Sequence, residues 1–481
     1  MSIKRNSAIN IIGYIIPMMV MVFTIPLYLD VIGVDRYGVL ALVWLIIGYS
    51  MFMEIGLGKA TATEIAKIDV SAYKVKSKIF WTAVFVNLFL GFITSIIVIF
   101  IGKYLIVDVF TMSDSIREEA LASMPWIVMA VPLALVGSVL NSSLEAVNKF
   151  ALLNRIQVGG SVMFHVIPLL VAINYSAKLD DVIAASIMVR LVVNVTLLCS
   201  CYIYVTGQTI SSFSKRRASK LLSYGKWIGL TTLVTPVLET FDRLIIGITV
   251  GSEGVSFYTV AYQLTAKIRI IPSAISRALL PPLSAASASE AHKITTDSFV
   301  SLAGQLTPLV ILVGICLKPF IFLWIGPEIG KNVLPISYLF LIGMWANSVC
   351  HVPVIYLIAT GRASAVGKVH LGEVFPFIVL VYYCSIYWGV TGAVFAWVFR
   401  VFTDLVIMSV IARLHLSLIK ICLSAFLSIV SLMALYLWDF NYINPPGLIL
   451  LVGSCLILSG YHIRSEVVTL YSKLSTWVLA K

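Results

Sequence analysis

The chain has 481 residues, of which 60% are hydrophobic and only 12% are charged, and its mean hydropathy is +1.01. An ordinary soluble domain is about 25% charged, so a single soluble domain is excluded, and disorder is excluded because it needs low hydrophobicity. The remaining class is an all-α polytopic membrane protein. The formal net charge of +12 then indicates membrane topology and does not predict nucleic-acid binding.

A membrane-spanning helix needs about 20 predominantly apolar residues. The first such stretch follows Lys4 and Arg5, and it is too long for a signal peptide and lacks a small-x-small cleavage site, so we expect it to be retained. The rule predicts about 14 spanning helices. In chain order they are 8–29, 38–58, 79–101, 124–143, 156–173, 182–205, 225–250, 255–280, 299–317, 333–359, 365–388, 390–412, 418–438 and 447–463.

The distribution of charge between these helices predicts their orientation. Most of the 34 basic residues fall in alternate loops, whereas the opposite loops are rich in acids, which predicts cytoplasmic N- and C-termini. The seven cysteines lie in apolar runs, and this indicates neither disulfides nor a metal site. There is no long loop for a catalytic domain and no Walker A motif, so we expect no cofactor and no direct use of ATP.

Weak similarities between the two halves predict an internal repeat. The matching pairs are 32–35 with 250–253, Lys149 with Arg362, Arg155 with Lys368, and Arg190-x-x-x-Asn194 with Arg400-x-x-x-Asp404. They predict an N-lobe of six helices (1–210), a C-lobe of six (211–415), and a C-terminal helix pair with a short tail (416–481). Parallel repeats of this kind surround a central cavity and support alternating-access transport. The alternative is a chance alignment of short apolar segments.

Ionisable residues inside a membrane are costly and are therefore functional candidates. Those deep within the predicted spans are Glu54, Arg190, Glu239, Asp242, Arg243, Glu373, Arg400 and Asp404. The spacing i,i+4 predicts the ion pairs Glu239–Arg243 and Arg400–Asp404, which would hold the bundle together. The two arginines Arg190 and Arg400 are also candidates for binding an anionic substrate, and the acids are candidates for a coupling-ion site or charge network. His165, His351 and His370 are expected to make helix–helix hydrogen bonds, with proton relay as the alternative.

Several short motifs resemble one known family. They are Asn10-Ile11-Ile12-Gly13, Pro26-Leu27-Tyr28-Leu29 before Gly33-x-x-x-Tyr37-Gly38, Glu54-Ile55-Gly56-Leu57-Gly58, Leu280-Pro281-Pro282-Leu283-Ser284 and Gly389-Val390-Thr391-Gly392-Ala393. On these motifs the chain resembles Wzx-type polysaccharide flippases of the multidrug/oligosaccharidyl-lipid/polysaccharide exporter superfamily. The resemblance implies two six-helix lobes around a cationic cavity, to which Arg190, Arg400, Lys59 and Arg277 would contribute. The first span holds no arginine, unlike that of the peptidoglycan-precursor flippases.

The resemblance implies that undecaprenyl-pyrophosphate-linked oligosaccharide, such as an O-antigen repeat unit, is moved from the cytoplasmic to the periplasmic leaflet of the bacterial inner membrane. An H⁺ or Na⁺ gradient would drive the movement. The expected partners are the bilayer and this lipid-linked substrate, with a contact to polysaccharide polymerase machinery as a further expectation. The alternatives are a small-molecule or drug/cation antiporter of the same fold, and an integral-membrane polymerase or acyl transferase.

Overall fold

The computed structural model describes residues 3–50, 56–69, 71–232, 234–439 and 452–457. Within these ranges the chain forms helices and no strands, which confirms the all-α class. The helices are α1 (Ile3–Val31), α2 (Val34–Ser50), α3 (Leu57–Ala66), α4 (Tyr73–Tyr104), α5 (Asp114–Ala122), α6 (Met124–Ala146), α7 (Phe150–Asn174), α8 (Leu179–Tyr204), α9 (Lys215–Thr232), α10 (Val234–Thr249), α11 (Ser252–Thr265), α12 (Ile270–Ala285), α13 (Ala288–Ala359), α14 (Ala363–Ile411) and α15 (His415–Asp439).

The number of helices in the described residues is consistent with the predicted count of about 14 spanning helices. Seven of the described helices are long and apolar enough to cross a membrane, namely α4 with the π turn that follows it, α6, α7, α8, α13, α14 and α15. The predicted spans 38–58, 225–250 and 255–280 each fall on two consecutive helices. The predicted span 447–463 lies mostly outside the described residues.

Two of the long helices contain a reversal of the chain. The indole of Trp345 donates a hydrogen bond of 3.1 Å to the hydroxyl of Thr307, although a straight helix would separate these residues by about 57 Å. The reversal lies at Gly326, whose φ of 77° is in the region that favours glycine. Gly389, with φ 59°, likewise divides α14. The chain therefore forms four helices here, as the predicted spans require. They are 288–325, 327–359, 363–388 and 390–411.

The described chain divides into two compact units, Met1–Ser256 and Phe257–Lys481. The core of the first unit includes the fully buried side chains of Phe80 and Leu140. In the second unit, the ring of Phe340 packs edge-on against the ring of Trp397, with 5.3 Å between centroids. Helices α9 and α10 lie in the first unit. The division into lobes at 210 and 415 stays a prediction.

A proline in α6 shows how the first unit accommodates a break in its helical hydrogen bonds. Pro132 has no N–H to donate to the carbonyl of Val128. The hydroxyl of Ser95 on α4 donates to that carbonyl instead, at 2.9 Å. Helix α4 approaches closely at this level because Gly91 has no side chain, and a Cβ there would lie 2.6 Å from the Cα of Pro132. A neighbouring helix thus supplies the missing hydrogen bond, as burial in a membrane requires.

Ion pairs hold the ends of several helices in the first unit. Arg36 donates to both carboxylate oxygens of Glu119 at 2.8 and 2.7 Å, and the backbone N–H of Leu179 donates to the same carboxylate at 3.1 Å. The Arg36 hydrogen bonds hold the pKa of Glu119 below its usual value. Lys220 donates to Glu64 at 2.7 Å and lowers the pKa of that carboxyl in the same way.

Candidate functional site

The side chain of Arg190, on α8, has an aromatic neighbour and no counter-ion among the described residues. Its guanidinium carbon lies 5.0 Å from the ring centroid of Phe164 on α7. Among the residues that the structure describes, no carboxylate oxygen lies within 4.0 Å of its nitrogens, and its Nε is buried without a hydrogen-bond acceptor. A guanidinium in this state can bind an anion, since its fork of N–H groups matches phosphate and carboxylate geometry.

Arg190 lines a half-open cavity of about 260 Å³ between α6, α7 and α8. On its walls, the amide of Gln157 donates to the amide oxygen of Asn141 at 2.6 Å. The amide nitrogen of Asn194 donates to the carbonyls of Leu133 and Arg190, both at 3.1 Å. The cavity therefore combines one positive charge with neutral polar groups.

The second unit contains a different arrangement around Arg400. Its guanidinium carbon lies 5.0 Å from the ring centroid of Phe377. A guanidinium nitrogen lies 3.7 Å from an oxygen of Glu373, and both side chains are only 10% exposed. The imidazole of His370 lies 3.7 Å from Asp404, to which the thiol of Cys350 donates at 3.6 Å. The structure thus places Arg400 against Glu373, whereas the i,i+4 spacing predicts a pair with Asp404.

The two arginine sites occupy equivalent positions in the predicted repeat. Phe164 and Phe377 are related by the same offset as Lys149 and Arg362. Both sites stack a guanidinium on a phenylalanine at the same distance. The remaining equivalent positions differ: Gln157, Gly160 and Asn194 in the first unit correspond to His370, Glu373 and Asp404 in the second. One site is therefore cationic, and the other holds two acids, an arginine and a histidine.

Of the other predicted site residues, the structure describes the side chains of Lys59, Asp242 and Arg243. Lys59 is exposed on α3. Asp242 and Arg243 are buried on α10, where the backbone N–H of Arg243 donates to the Asp242 carboxylate at 2.7 Å. Glu54 lies outside the described residues. Glu239 on α10 and Arg277 on α12 are described only as part of their helices, so the predicted pair Glu239–Arg243 stays a prediction.

Residues that the sequence does not single out also belong to these sites, namely Phe164, Gln157 and Asn141 in the first unit and Phe377 and Cys350 in the second. The offset of the repeat would have identified the two phenylalanines as a matched pair. Cys350 has no signal in the sequence, because nothing distinguishes it from the other cysteines in apolar runs. No group of three or more His, Cys, Asp or Glu side chains that could hold a metal ion occurs within the part of the chain that the structure describes.

The fold of this chain is similar to that of solved transporter structures, two of which follow. An inward-facing multidrug resistance MATE family transporter of the MOP superfamily is similar with a TM-score of 0.68 and 13% identity, covering 85% of this chain and 98% of that one. The lipid II flippase MurJ, in an inward closed conformation, is similar with a TM-score of 0.68 and 11% identity, covering 98% of this chain and 99% of that one. At these identities the likeness shows the fold alone.

The sequence comparisons identify the family. A putative O-antigen transporter of Shigella flexneri is 26% identical over 412 residues, which cover 85% of this chain and 97% of the relative. Residues 31–329 match the family described as polysaccharide biosynthesis protein. The resemblance stated from the motifs is confirmed at the level of family and fold. Because this family match spans more than half of the residues of the chain, the chain belongs to the polysaccharide biosynthesis protein family.

Proposed function

We propose that the protein is a flippase that carries undecaprenyl-pyrophosphate-linked oligosaccharide from the cytoplasmic to the periplasmic leaflet of a bacterial inner membrane by alternating access. It is a transporter with no catalytic site of its own, and both termini are cytoplasmic. The observation that carries the proposal is the half-buried Arg190 side chain, which lines a polar cavity with no described carboxylate to neutralise it. The family and the name of the Shigella relative support this choice of substrate.

The cavity of Arg190 suits the anionic end of such a lipid. A guanidinium binds a phosphate group through two parallel charge-assisted hydrogen bonds. Lys59 and Arg277 are proposed to contribute further positive charge along the path of the substrate. Arg400, at 3.7 Å from Glu373, is proposed to act mainly within the charge network of the second unit and to contact the substrate only when that pair opens.

The acids of the second unit are proposed to couple transport to an ion gradient. Both oxygens of Glu373 and one oxygen of Asp404 are buried without a hydrogen-bond donor among the described residues. Protonation would give this pair a donor, and His370 beside Asp404 offers a route for the proton. The described cluster places an imidazole and a thiol beside its carboxylates, groups that exchange protons and are poor ligands for Na⁺, and this favours H⁺ over Na⁺. Glu54, Glu239, Asp242 and Arg243 remain proposed members of the network.

The test is complementation of a deletion strain, with surface polysaccharide measured on gels and protein level measured by immunoblot. Arg190→Ala should abolish surface polymer at a normal protein level. The matched control is Arg155→Ala, which removes an exposed arginine one helix away. Normal polymer from Arg190→Ala at equal protein level would refute the proposed role.

The alternative is a drug/cation antiporter, which the paired acids beside His370 favour. Such an antiporter would bind its substrate at Glu373 and Asp404, and Arg190 would have no role in binding. A deletion strain would then become sensitive to cationic drugs while its surface polysaccharide stayed normal. The flippase proposal expects the opposite pattern.

A further inference from the structure

The connector between α8 and α9, residues 205–214, is fixed along the first turns of α4. The hydroxyl of Ser77 on α4 donates to the carbonyl of Thr209 at 2.7 Å. Near the other end of the connector, the backbone N–H of Ser214 donates to the hydroxyl of Thr82 at 3.2 Å. Because both ends of the segment are held in this way, the start of α9 lies beside the start of α4.

This arrangement brings exposed basic side chains from two helices together. The Thr82 hydroxyl that receives the Ser214 N–H donates in turn to the carbonyl of Lys78 at 2.6 Å, so the connector meets α4 at the turn that carries Lys78. None of the basic side chains in this group makes an ion pair within the part of the chain that the structure describes. The group consists of Lys74, Lys78, Lys215 and Arg216.

The acids on the neighbouring segments do not neutralise this group. Glu64 on α3 is already paired with Lys220 at 2.7 Å and with Lys67 at 3.4 Å. Asp69 precedes α4, is exposed, and makes no ion pair among the described residues. Even with the charge of Asp69 counted against them, the four basic side chains keep a net charge of +3.

The connector also exposes two large apolar side chains. Ile210 is 75% exposed and Phe213 is 51% exposed. They lie on either side of Ser211, whose hydroxyl makes a hydrogen bond of 3.0 Å to α4. The predicted spans 79–101 and 182–205 both end at this level, which places the connector at the membrane interface. There, apolar side chains reach the acyl chains and basic side chains reach the lipid headgroups.

We propose that this connector surface binds an anionic phospholipid of the bilayer, such as phosphatidylglycerol. The basic side chains would hold its headgroup, and the two apolar side chains would insert among its acyl chains. The ligand is distinct from the transported cargo, because Arg190 lies about 21 Å along α8 from the end of that helix. The connector surface consists of Lys74, Lys78, Lys215 and Arg216 together with Ile210 and Phe213.

The experiment titrates detergent-purified full-length protein with dioctanoyl phosphatidylglycerol, dioctanoyl phosphatidylcholine and polyglutamate. One basic side chain near an anionic lipid is worth about fivefold in affinity, so a headgroup that contacts two of them should bind about 25-fold more tightly than phosphatidylcholine. This preference should decrease as the salt concentration is raised. A preference for polyglutamate over both lipids would overturn the proposal in favour of an acidic soluble partner.

Paired substitutions test whether the two helices act together. Lys74→Gln/Lys78→Gln and Lys215→Gln/Arg216→Gln should each reduce the preference for phosphatidylglycerol about fivefold or more and leave phosphatidylcholine binding unchanged. Ile210→Ser/Phe213→Ser should instead weaken both lipids by the same factor.

The matched control is Lys293→Gln/Lys331→Gln, which removes the same charge from exposed positions of the second unit. This variant should bind as wild type, and thermal unfolding establishes that each variant is folded. Equal affinity of wild type for the two lipids would overturn the inference, and the basic residues would then serve membrane insertion alone. An undiminished preference in either paired variant, or an equal loss in the control, would also overturn it. The flippase proposal falls separately, on normal export by Arg190→Ala.

Discussion

The pairing of Arg400 with Glu373 predicts how the second unit responds to charge removal. At 3.7 Å and an effective dielectric constant of about 20, the attraction between the two charges is about 4.5 kcal/mol before desolvation is subtracted. Arg400→Met leaves the carboxylate buried without its partner, a change that typically costs about 3–5 kcal/mol. Arg400→Met combined with Glu373→Gln removes both charges. Since a buried pair is worth little more than a neutral replacement, the double variant should recover most of the lost stability.

The assay is thermal unfolding of the purified variants in one detergent, followed by tryptophan fluorescence, with export measured in parallel. Lys331→Met is the matched control because it removes an exposed charge from the second unit, and it should leave the melting temperature unchanged. The double variant should fold and still fail to export, because the carboxylate proposed to couple transport to an ion gradient is gone. A double variant as unstable as Arg400→Met would refute the pairing. A stable Arg400→Met variant that fails to export would instead favour Arg400 as a substrate ligand.

Three further predictions concern the first unit. Glu119→Gln should lower the free energy of unfolding by about 1 kcal/mol at neutral pH. The pKa of Glu119 is lowered in the folded state, so its stabilisation is present above the usual glutamate pKa of 4.5 and is lost as pH falls through the folded-state pKa. The unfolding curves of wild type and variant should therefore converge in acid. Ser95→Ala should lower the free energy of unfolding by about 1 kcal/mol. In a Pro132→Ala background the loss should be much smaller, because the restored N–H of residue 132 donates to the same carbonyl. Equal losses in the two backgrounds would contradict the reasoning. Gly38→Ala should lower the melting temperature because its Cβ would collide with backbone, whereas Gly159→Ala, with open space, should not.

Most of the fold is predictable from the sequence because lipid requires long apolar segments whose backbone groups are satisfied internally. The spans 365–388 and 390–412 match the two helices on either side of Gly389. What the apolar pattern does not predict is where a span is built from two helices, as at 255–280. A 3₁₀ turn, Ala266–Arg269, separates α11 from α12 there, and hydropathy carries no signal for such a conformation.

The candidate sites are predictable in part. Arg190 and Arg400 stand out because charge is rare in a span, but the partner of Arg400 is not evident from spacing. Helical side chains point towards the N-terminus, so an arginine that precedes an acid by four residues is in the less favourable order for an ion pair. The tertiary contact with Glu373 is made instead, through the reversal at Gly389. Choosing between these partners requires knowing which helix lies beside α14, and a single sequence does not contain that information.

The matched arginine–phenylalanine pairs provide a physical reason for assigning different ligands to the two sites. Stacking on a ring supports a guanidinium but does not neutralise it, so the neighbouring positions determine whether its charge is available. Beside Arg190 these positions are neutral, and the charge remains until an anion arrives. In the second unit, Arg400, the two carboxylates and His370 together carry one net negative charge, or none when they hold one further proton. The first arrangement is suited to an anionic substrate and the second to a proton, so the predicted repeat would supply both binding steps of the proposed ion-coupled transport.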